Sequence, residues 1–426
     1  MRINPAKLQS TTGVRSFRPA RATVKKPTLP GDSFESTIVQ NNNSNLNLSS
    51  FNSHVPPSHS EEKALVSINS QSCLSQLQQD PTAWKQYQAL PAKEKQEFLK
   101  LARATLRPVK MGSTGSFHSE LALKNIFGRV SPALTSILKS GKLQNKDSMG
   151  KTLLANLNRI FSQKFTNEVD SRRIKNQVLS IVANPDLISQ GNKGTCTMTT
   201  LEYINAVNHP AEFVRIISGL TSPDKQVQLR NGETLIANRG SLKPDNSSRL
   251  DVNRIYQASM MEYGNGELDY DNAGDINVRR TMLPSGAIKE ETLHKGLYPP
   301  ESNRSFDAVL PYKSSFAEFS PIDREKVDGQ FQKLTDKGAI VPIALAWRGP
   351  KENIYEHKVA VEGMDDQYAY IRDPFGSNDM GKTPQSPSDE IERELAFPEK
   401  PYSGGHIKVK KDEFYNRLLD YHFPAK

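Results

Sequence analysis

The sequence contains little cysteine and no long apolar run. Only two of its 426 residues are cysteines, Cys73 and Cys196, so a disulfide framework is not expected and free thiols are the simpler interpretation. No apolar stretch approaches the roughly 20 residues that a bilayer-spanning helix requires. Cysteines and histidines nowhere have the spacing of a zinc site. We therefore expect no membrane span, no metal and no cofactor.

Acidic residues are missing from the first 31 positions, which hold seven lysines and arginines. The formal net charge of the chain is +9, so the rest of the sequence carries only about +2. A body this close to neutral lacks the basic surface on which nucleic-acid binding depends. We expect no nucleic-acid partner.

Residues 1–60 have the composition of a disordered tail, basic at first and then rich in Asn and Ser. Few apolar side chains are available there to form a core. The segment also lacks the apolar stretch of a secretory signal peptide. Three interpretations stay open: an inert tail, an organelle transit peptide, or the unfolded export signal of a bacterial effector.

Residues 61–180 have the periodicity of helices. An apolar stripe runs from Ala83 to Leu106, Ser131 and Pro132 form a typical helix start, and residues 153–161 give another amphipathic face. The sequence thus predicts a helical region ahead of a catalytic domain at 181–426. Four roles are open for this region: inhibition, substrate docking, binding of a secretion chaperone, or packing against the catalytic domain.

Cys196 stands at the start of a helix-like run, directly after a turn-forming segment rich in glycine. Thr195 is placed to act as the N-cap, which puts Cys196 in the first turn of the helix. There the positive end of the helix dipole favours a thiolate over a thiol. Gln190, six residues earlier, has a side-chain N–H that can bind an oxyanion together with the backbone N–H of Cys196. A lone cysteine is more often a small core residue, but the polar neighbours of Cys196 argue against that alternative. Cys73 falls in a polar helical region with no imidazole indicated nearby, so its pKa is expected to stay ordinary.

An imidazole and a carboxylate follow far downstream on a predicted hairpin. His357 shares one face of a strand with Val359 and Val361, turn-forming residues follow at 363–367, and a return strand ends at Asp373. A carboxylate there can accept a hydrogen bond from the imidazole, fix its tautomer and leave the other nitrogen for a thiol. Two further strands are predicted beside the hairpin, at 338–347 and, as the last strand of the chain, at 405–409.

Taken together, these motifs resemble those of the papain-like cysteine peptidases over roughly residues 185–426. In that family a Gln precedes the nucleophilic Cys by this spacing, and the His opens a strand of the form His-x-Val-x-Val-x-Gly. An Asn or Asp then precedes an aromatic residue and a glycine, here Phe375 and Gly376. Asp373 in place of Asn, and Thr197 in place of the aromatic residue that commonly follows the Cys, point to a divergent bacterial branch of effector type.

The resemblance implies an α+β fold, with the helix that bears Cys196 packed on an antiparallel sheet that bears His357 and Asp373. It implies a cysteine-type endopeptidase whose catalytic residues are Cys196, His357, Asp373 and Gln190 and whose partner is a protein substrate. For an effector we expect secretion or translocation into a host cell without a cleavable signal peptide, and otherwise a cytoplasmic protein.

Two other functions remain open. A transglutaminase or deamidase uses the same three residue types and often has Asp-Pro after the strand, as at Asp373-Pro374, but does not use the Gln that precedes the cysteine here. A non-catalytic interaction module would instead have Cys196 buried and inert.

Two further segments of the sequence are candidates for other roles. His406 also falls on a predicted strand and is the one serious rival to His357, although it lacks a partner like Asp373 at the end of a return strand. The acidic segment 265–275 contains oxygen ligands that calcium prefers, but it lacks the spacing of an EF-hand, so a solvated loop is the favoured interpretation.

Overall fold

The computed structural model describes residues 73–105, 130–238, 240–293, 296–348, 354–375 and 405–424. The predicted tail at 1–60 and the predicted Gly376 lie outside these ranges. Among the described residues, no helix has both the length and the apolar character needed to cross a bilayer.

Helices make up most of the first half of the described chain. Residues 73–79 are helical, and the labelled helices that follow are α1 (Pro81–Ala89), α2 (Ala92–Thr105), α3 (Pro132–Lys139), α4 (Leu153–Ser162), α5 (Ser171–Ala183), α6 (Cys196–Asn208), α7 (Pro210–Leu220), α8 (Asp251–Asn265), α9 (Pro299–Val309), α10 (Arg324–Thr335) and α11 (Lys411–Arg417).

Strands are concentrated in the second half. They are β1 (Gln226–Gln228), β2 (Thr234–Ile236), β3 (Asp269–Asp271), β4 (Ile276–Met282), β5 (Ile288–Thr292), β6 (Ser314–Glu318), β7 (Val341–Arg348), β8 (Ile354–Met364), β9 (Tyr368–Arg372), β10 (His406–Lys410) and β11 (Leu418–Pro424). The protein is therefore a mixed α+β structure, as predicted.

Three sheets form from these strands. The largest has six antiparallel strands in the order β10-β9-β8-β7-β11-β6. A two-stranded ribbon pairs β1 with β2, and a three-stranded sheet has the order β3-β4-β5. The six-stranded sheet carries the histidine and the aspartate of the predicted site, and β3 and β4 flank a turn that contacts the cysteine segment.

Two apolar cores enclose the six-stranded sheet. The larger is built from helices α1 to α9 and receives Ile340 and Ala360 from the sheet side. The smaller lies between the opposite face, with Val359 and Val361, and helices α10 and α11. The larger core contains residues from both sides of positions 180 and 181, where the sequence predicts a domain boundary. The boundary itself stays a prediction.

Two local predictions need correction. The helical run expected from Ala83 to Leu106 is divided into α1 and α2, because Pro91 excludes the preceding residue from the helical region and Leu90 is extended at φ −65° and ψ 139°. The strand predicted at 405–409 is present as β10, but it is not the last strand. β11 follows it and lies inside the sheet between β7 and β6.

Candidate active site

Helix α6 begins at Cys196, at the residue that the sequence indicates. Thr195 occupies the N-cap position, but its hydroxyl does not cap the helix and instead donates to Oε1 of Gln257 at 2.9 Å. Residues 197–206 of the helix are buried, whereas Cys196 is partly exposed at its first turn. The thiol therefore lies where the free amides of a helix start favour negative charge.

His357 and Asp373 come together at the end of the β8–β9 hairpin. Nε2 of His357 is 3.0 Å from Oδ1 of Asp373, and both side chains are almost fully buried. The same carboxylate oxygen accepts from the backbone N–H of Phe375 at 3.0 Å. The backbone N–H of Asp373 donates to the carbonyl of Gly405 at 2.9 Å, which ties this corner to the start of β10.

A hydrogen bond joins His357 to Cys196, and the two side chains change each other's acidity. Burial alone raises the pKa of the Cys196 thiol, but the hydrogen bonds and charges of His357 and Lys358 together outweigh it, so the pKa lies below its ordinary value. Burial alone lowers the pKa of His357, but its bonds to Asp373 and Cys196 raise it to about 9. Both shifts favour a thiolate–imidazolium pair at neutral pH.

Phe375 covers the imidazole. Its ring stacks on that of His357 with centroids 5.1 Å apart and an interplanar angle of 24°. The stack and the bond to Asp373 together leave the imidazole little freedom to rotate. Because Nε2 is taken by the carboxylate, Nδ1 is the nitrogen left for the thiol.

Gln190 lies in the turn before α6, next to the strand end that carries Asp373. Its backbone N–H donates to the carbonyl of Pro374 at 2.8 Å. Its side chain is buried, and Nε2 donates to the carbonyl of Lys193 at 2.8 Å. One of the two Nε2 hydrogens is therefore held within the turn, and the amide retains a second one.

The acidic segment at 265–275 has a role that the sequence does not reveal. The prediction of a solvated loop is wrong for Asp275, which is buried and accepts the backbone N–H of Gly194 with both carboxylate oxygens at 2.9 Å. Nζ of Lys193 donates in return to the carbonyls of Asn272 and Ala273 at 2.9 and 3.1 Å. The turn before Cys196 is thus fastened to the turn between β3 and β4. The Asp-Asn-Ala-Gly-Asp run marks a turn, but nothing in it indicates what the turn contacts.

Lys358 is a second residue that the sequence does not single out. Its backbone amide donates to the sulfur of Cys196, and its side chain is fully buried with Nζ 2.6 Å from Oδ1 of Asp420. Thr200 of α6 donates to the Lys358 carbonyl at 3.2 Å. These bonds hold the helix start against the strand that carries His357.

His406 has two carboxylate partners that the sequence does not indicate. Its Nδ1 is 2.6 Å from Oε2 of Glu362, and its Nε2 is 2.9 Å from Oδ1 of Asp186. Burial alone lowers its pKa, but these two carboxylates raise the pKa to about 9. Both ring nitrogens are occupied by carboxylates rather than by a thiol, so His406 forms a separate cluster from His357.

Cys73 also differs from its prediction. The sequence suggests an ordinary thiol in a polar helical region, whereas the structure buries the side chain completely in the larger core. Burial raises the pKa of the Cys73 thiol, against a smaller opposing effect of Arg103. The contrast with Cys196 is therefore larger than the sequence indicates.

No protein-family model matches this sequence, and no curated protein was found to be similar to it.

Proposed function

We propose that this protein is a papain-like cysteine peptidase, of the divergent bacterial effector type, that cleaves peptide bonds with Cys196, His357 and Asp373. The observation that carries the proposal is the position of His357, which bonds to Asp373 through Nε2 and is also hydrogen-bonded to Cys196. A thiol, imidazole and carboxylate in this order are the parts that nucleophilic catalysis at cysteine requires. A helix that bears the thiol and an antiparallel sheet that bears the other two residues also agree with such a fold.

In the proposed reaction the Cys196 thiolate attacks the carbonyl carbon of a peptide bond. The His357 imidazolium then gives its proton to the leaving amine as the carbon–nitrogen bond breaks, which leaves an acyl group on the sulfur. Neutral His357 next removes a proton from water, which attacks the acyl carbon and releases the acid and the thiolate. Asp373 holds the imidazole in the required tautomer throughout.

The oxyanion of the tetrahedral intermediate requires hydrogen-bond donors near Cys196. We assign this role to the backbone N–H of Cys196 and to the side-chain amide of Gln190. One Nε2 hydrogen of Gln190 bonds to the Lys193 carbonyl, so the other hydrogen is the one that we assign to the oxyanion. Donors that are fixed before the reaction need no reorganisation when the charge develops, which is the source of their catalytic effect.

The experiment that tests the proposal combines labelling with product analysis. An epoxide or iodoacetamide reagent should modify Cys196 selectively, and Cys196→Ala should abolish both labelling there and all activity on protein substrates. Mass spectrometry of a treated proteome should find new N-termini with the wild-type protein and none with the variant. Ammonia release without new N-termini would instead identify a deamidase or transglutaminase. Absence of selective labelling would support a non-catalytic module.

The biological setting is proposed from the sequence alone. The basic, Asn- and Ser-rich residues 1–60 would carry an export signal, and the N-terminal region would bind a secretion chaperone before delivery to a host cell. A reporter fused to residues 1–60 should be exported by a bacterium with a specialised secretion system, and a reporter that lacks them should stay in the cytoplasm.

A further inference from the structure

We infer that Asp275 is a positioning residue for the oxyanion donor Gln190 and acts through the peptide unit that joins Lys193 to Gly194. This inference rests on the proposed function, because it concerns the same cysteine site. It assigns a role to a carboxylate about 80 residues away in sequence that does not take part in the proton transfers.

The peptide unit between Lys193 and Gly194 is held on both sides. Its carbonyl oxygen accepts from Nε2 of Gln190 at 2.8 Å. Its N–H donates to both carboxylate oxygens of Asp275 at 2.9 Å. Because a peptide unit is planar, fixing its N–H fixes the direction of its carbonyl. The direction of that carbonyl then decides where the Gln190 amide lies, and so where its second hydrogen points.

The support of Asp275 is itself rigid. The hydroxyl of Tyr270 donates to its Oδ1 at 2.8 Å. The backbone of Asp275 has a positive φ of 55°, a conformation that is uncommon outside glycine and is most accessible to Asn and Asp. Lys193 returns the contact through Nζ to the carbonyls of Asn272 and Ala273. The two turns therefore hold each other from both sides.

The charge of Asp275 makes the bond stronger than a neutral one. A hydrogen bond from an amide to an ionised carboxylate is shorter and roughly twice as strong as a bond between neutral groups. The carboxylate is buried, so solvent competes little for it. Loss of the carboxylate would leave the Gly194 N–H without its acceptor and allow the peptide unit to rotate.

Two small reagents separate an effect on the oxyanion from an effect on the thiol. With p-nitrophenyl acetate the Cys196 sulfur bonds to the carbonyl carbon, an oxyanion forms, and p-nitrophenolate leaves with the bonding electron pair. With iodoacetamide the sulfur displaces iodide from a saturated carbon and no oxyanion forms. Both reactions need the same thiolate, and only the first needs the donors.

The test measures both rates at Cys196 in the full-length protein and in variants of Asp275. For Asp275→Ala we expect acylation to slow by about 10- to 100-fold, while alkylation changes by no more than about twofold. Asp275→Asn suits the unusual backbone conformation and keeps one acceptor oxygen for the Gly194 N–H, but it loses the charge and the second acceptor. It should therefore give a smaller loss of the same kind even if the alanine variant folds poorly. Asp269→Asn is the matched control, because this carboxylate of β3 pairs with Arg280 instead.

A double-mutant cycle tests whether Asp275 acts through Gln190. Gln190→Ala should slow acylation, and adding Asp275→Ala should slow it by less than about threefold more, since both changes remove the same donor. Any one of three results would overturn the inference. The Asp275 variants could lose acylation rate and alkylation rate equally, or both could acylate at the wild-type rate. The rate losses of Gln190→Ala and Asp275→Ala could also multiply in the double variant. If wild-type Cys196 reacts no faster than Cys73 with either reagent, the proposed function itself fails. The two failures are therefore distinguishable.

Discussion

Replacing Asp373 by Ala or by Asn separates its two effects on His357. The alanine variant loses both the hydrogen bond to Nε2, 3.0 Å long, and the negative charge. The asparagine variant can retain the bond, because the backbone N–H of Phe375 also donates to Oδ1 at 3.0 Å. That N–H favours the amide orientation in which oxygen, not nitrogen, faces both donors. Asparagine therefore preserves the orientation of the imidazole and removes only the charge.

The size of each effect follows from the burial and the distance. Unit charges 3.0 Å apart interact by about 5 kcal/mol at an effective dielectric constant of about 20, which corresponds to several pKa units. Even a quarter of this interaction should lower the pKa of His357, which is about 9 in the wild type, by about one unit in Asp373→Asn. In Asp373→Ala the imidazole also loses its orientation, and turnover of a peptide substrate should fall by about 10³- to 10⁴-fold.

The assay is the rate of iodoacetamide reaction at Cys196 as a function of pH, combined with an NMR titration of the histidine rings. The wild-type rate should rise again near pH 9, as His357 loses its proton and the thiolate is freed from the ion pair. In Asp373→Asn this second rise should move to lower pH while selectivity for Cys196 near pH 6 persists. In Asp373→Ala that selectivity should fall by about tenfold or more. An unmoved second rise in Asp373→Asn, or wild-type labelling and turnover in Asp373→Ala, would refute the role given to Asp373.

Three further predictions follow from the same contacts and from the sequence. At pH 5.5–6 an alkylating reagent should label Cys196 at least about 100-fold faster than the buried Cys73. His357→Ala should slow the labelling of Cys196 by about tenfold or more, whereas His406→Ala should leave that rate unchanged; peptide mapping by mass spectrometry checks both. Because the folded-state pKa of His406 is raised to about 9, its proton stabilises the fold in full below pH 6.5, and this stabilisation is lost as pH rises through 9. In chemical denaturation, the free energy of unfolding of the wild type should exceed that of His406→Gln by at most about 3 kcal/mol near pH 6 and by much less near pH 10. A difference that does not change with pH would contradict the interaction of His406 with its two carboxylates. Deleting residues 1–60 should leave the melting temperature and labelling of the purified protein almost unchanged while delivery to a target cell fails, and loss of the thermal transition would show that the segment belongs to the fold.

Local sequence patterns predicted the elements that present the site. Glycines and Thr195 before an apolar run predicted a helix that begins at Cys196, and the structure has it there. Alternating apolar residues after His357, with turn formers at 363–367, predicted a hairpin that returns Asp373 toward the histidine, and the two side chains meet at 3.0 Å. Helix starts and hairpin turns depend on residues that are close in sequence, so they can be predicted without knowing the fold.

Contacts between distant segments could not be predicted in this way. β11 lies inside the sheet between β7 and β6, and its Asp420 pairs with Lys358, 62 residues away in sequence. An aspartate within an apolar run looks like an interruption when its partner is unknown. His406 likewise meets Asp186 over a separation of 220 residues.

The sequence by itself determined which side chains can perform thiol chemistry and which local elements carry them. The tertiary structure alone decided that Cys73 is buried, that His406 is held by two carboxylates, and that Asp275 holds the turn before Cys196. The physical reason is that burial and charge pairing depend on which remote surfaces pack together. A polar side chain in a solvated loop and one that fastens a buried turn have the same local sequence signal, and only the packing of the whole chain distinguishes them.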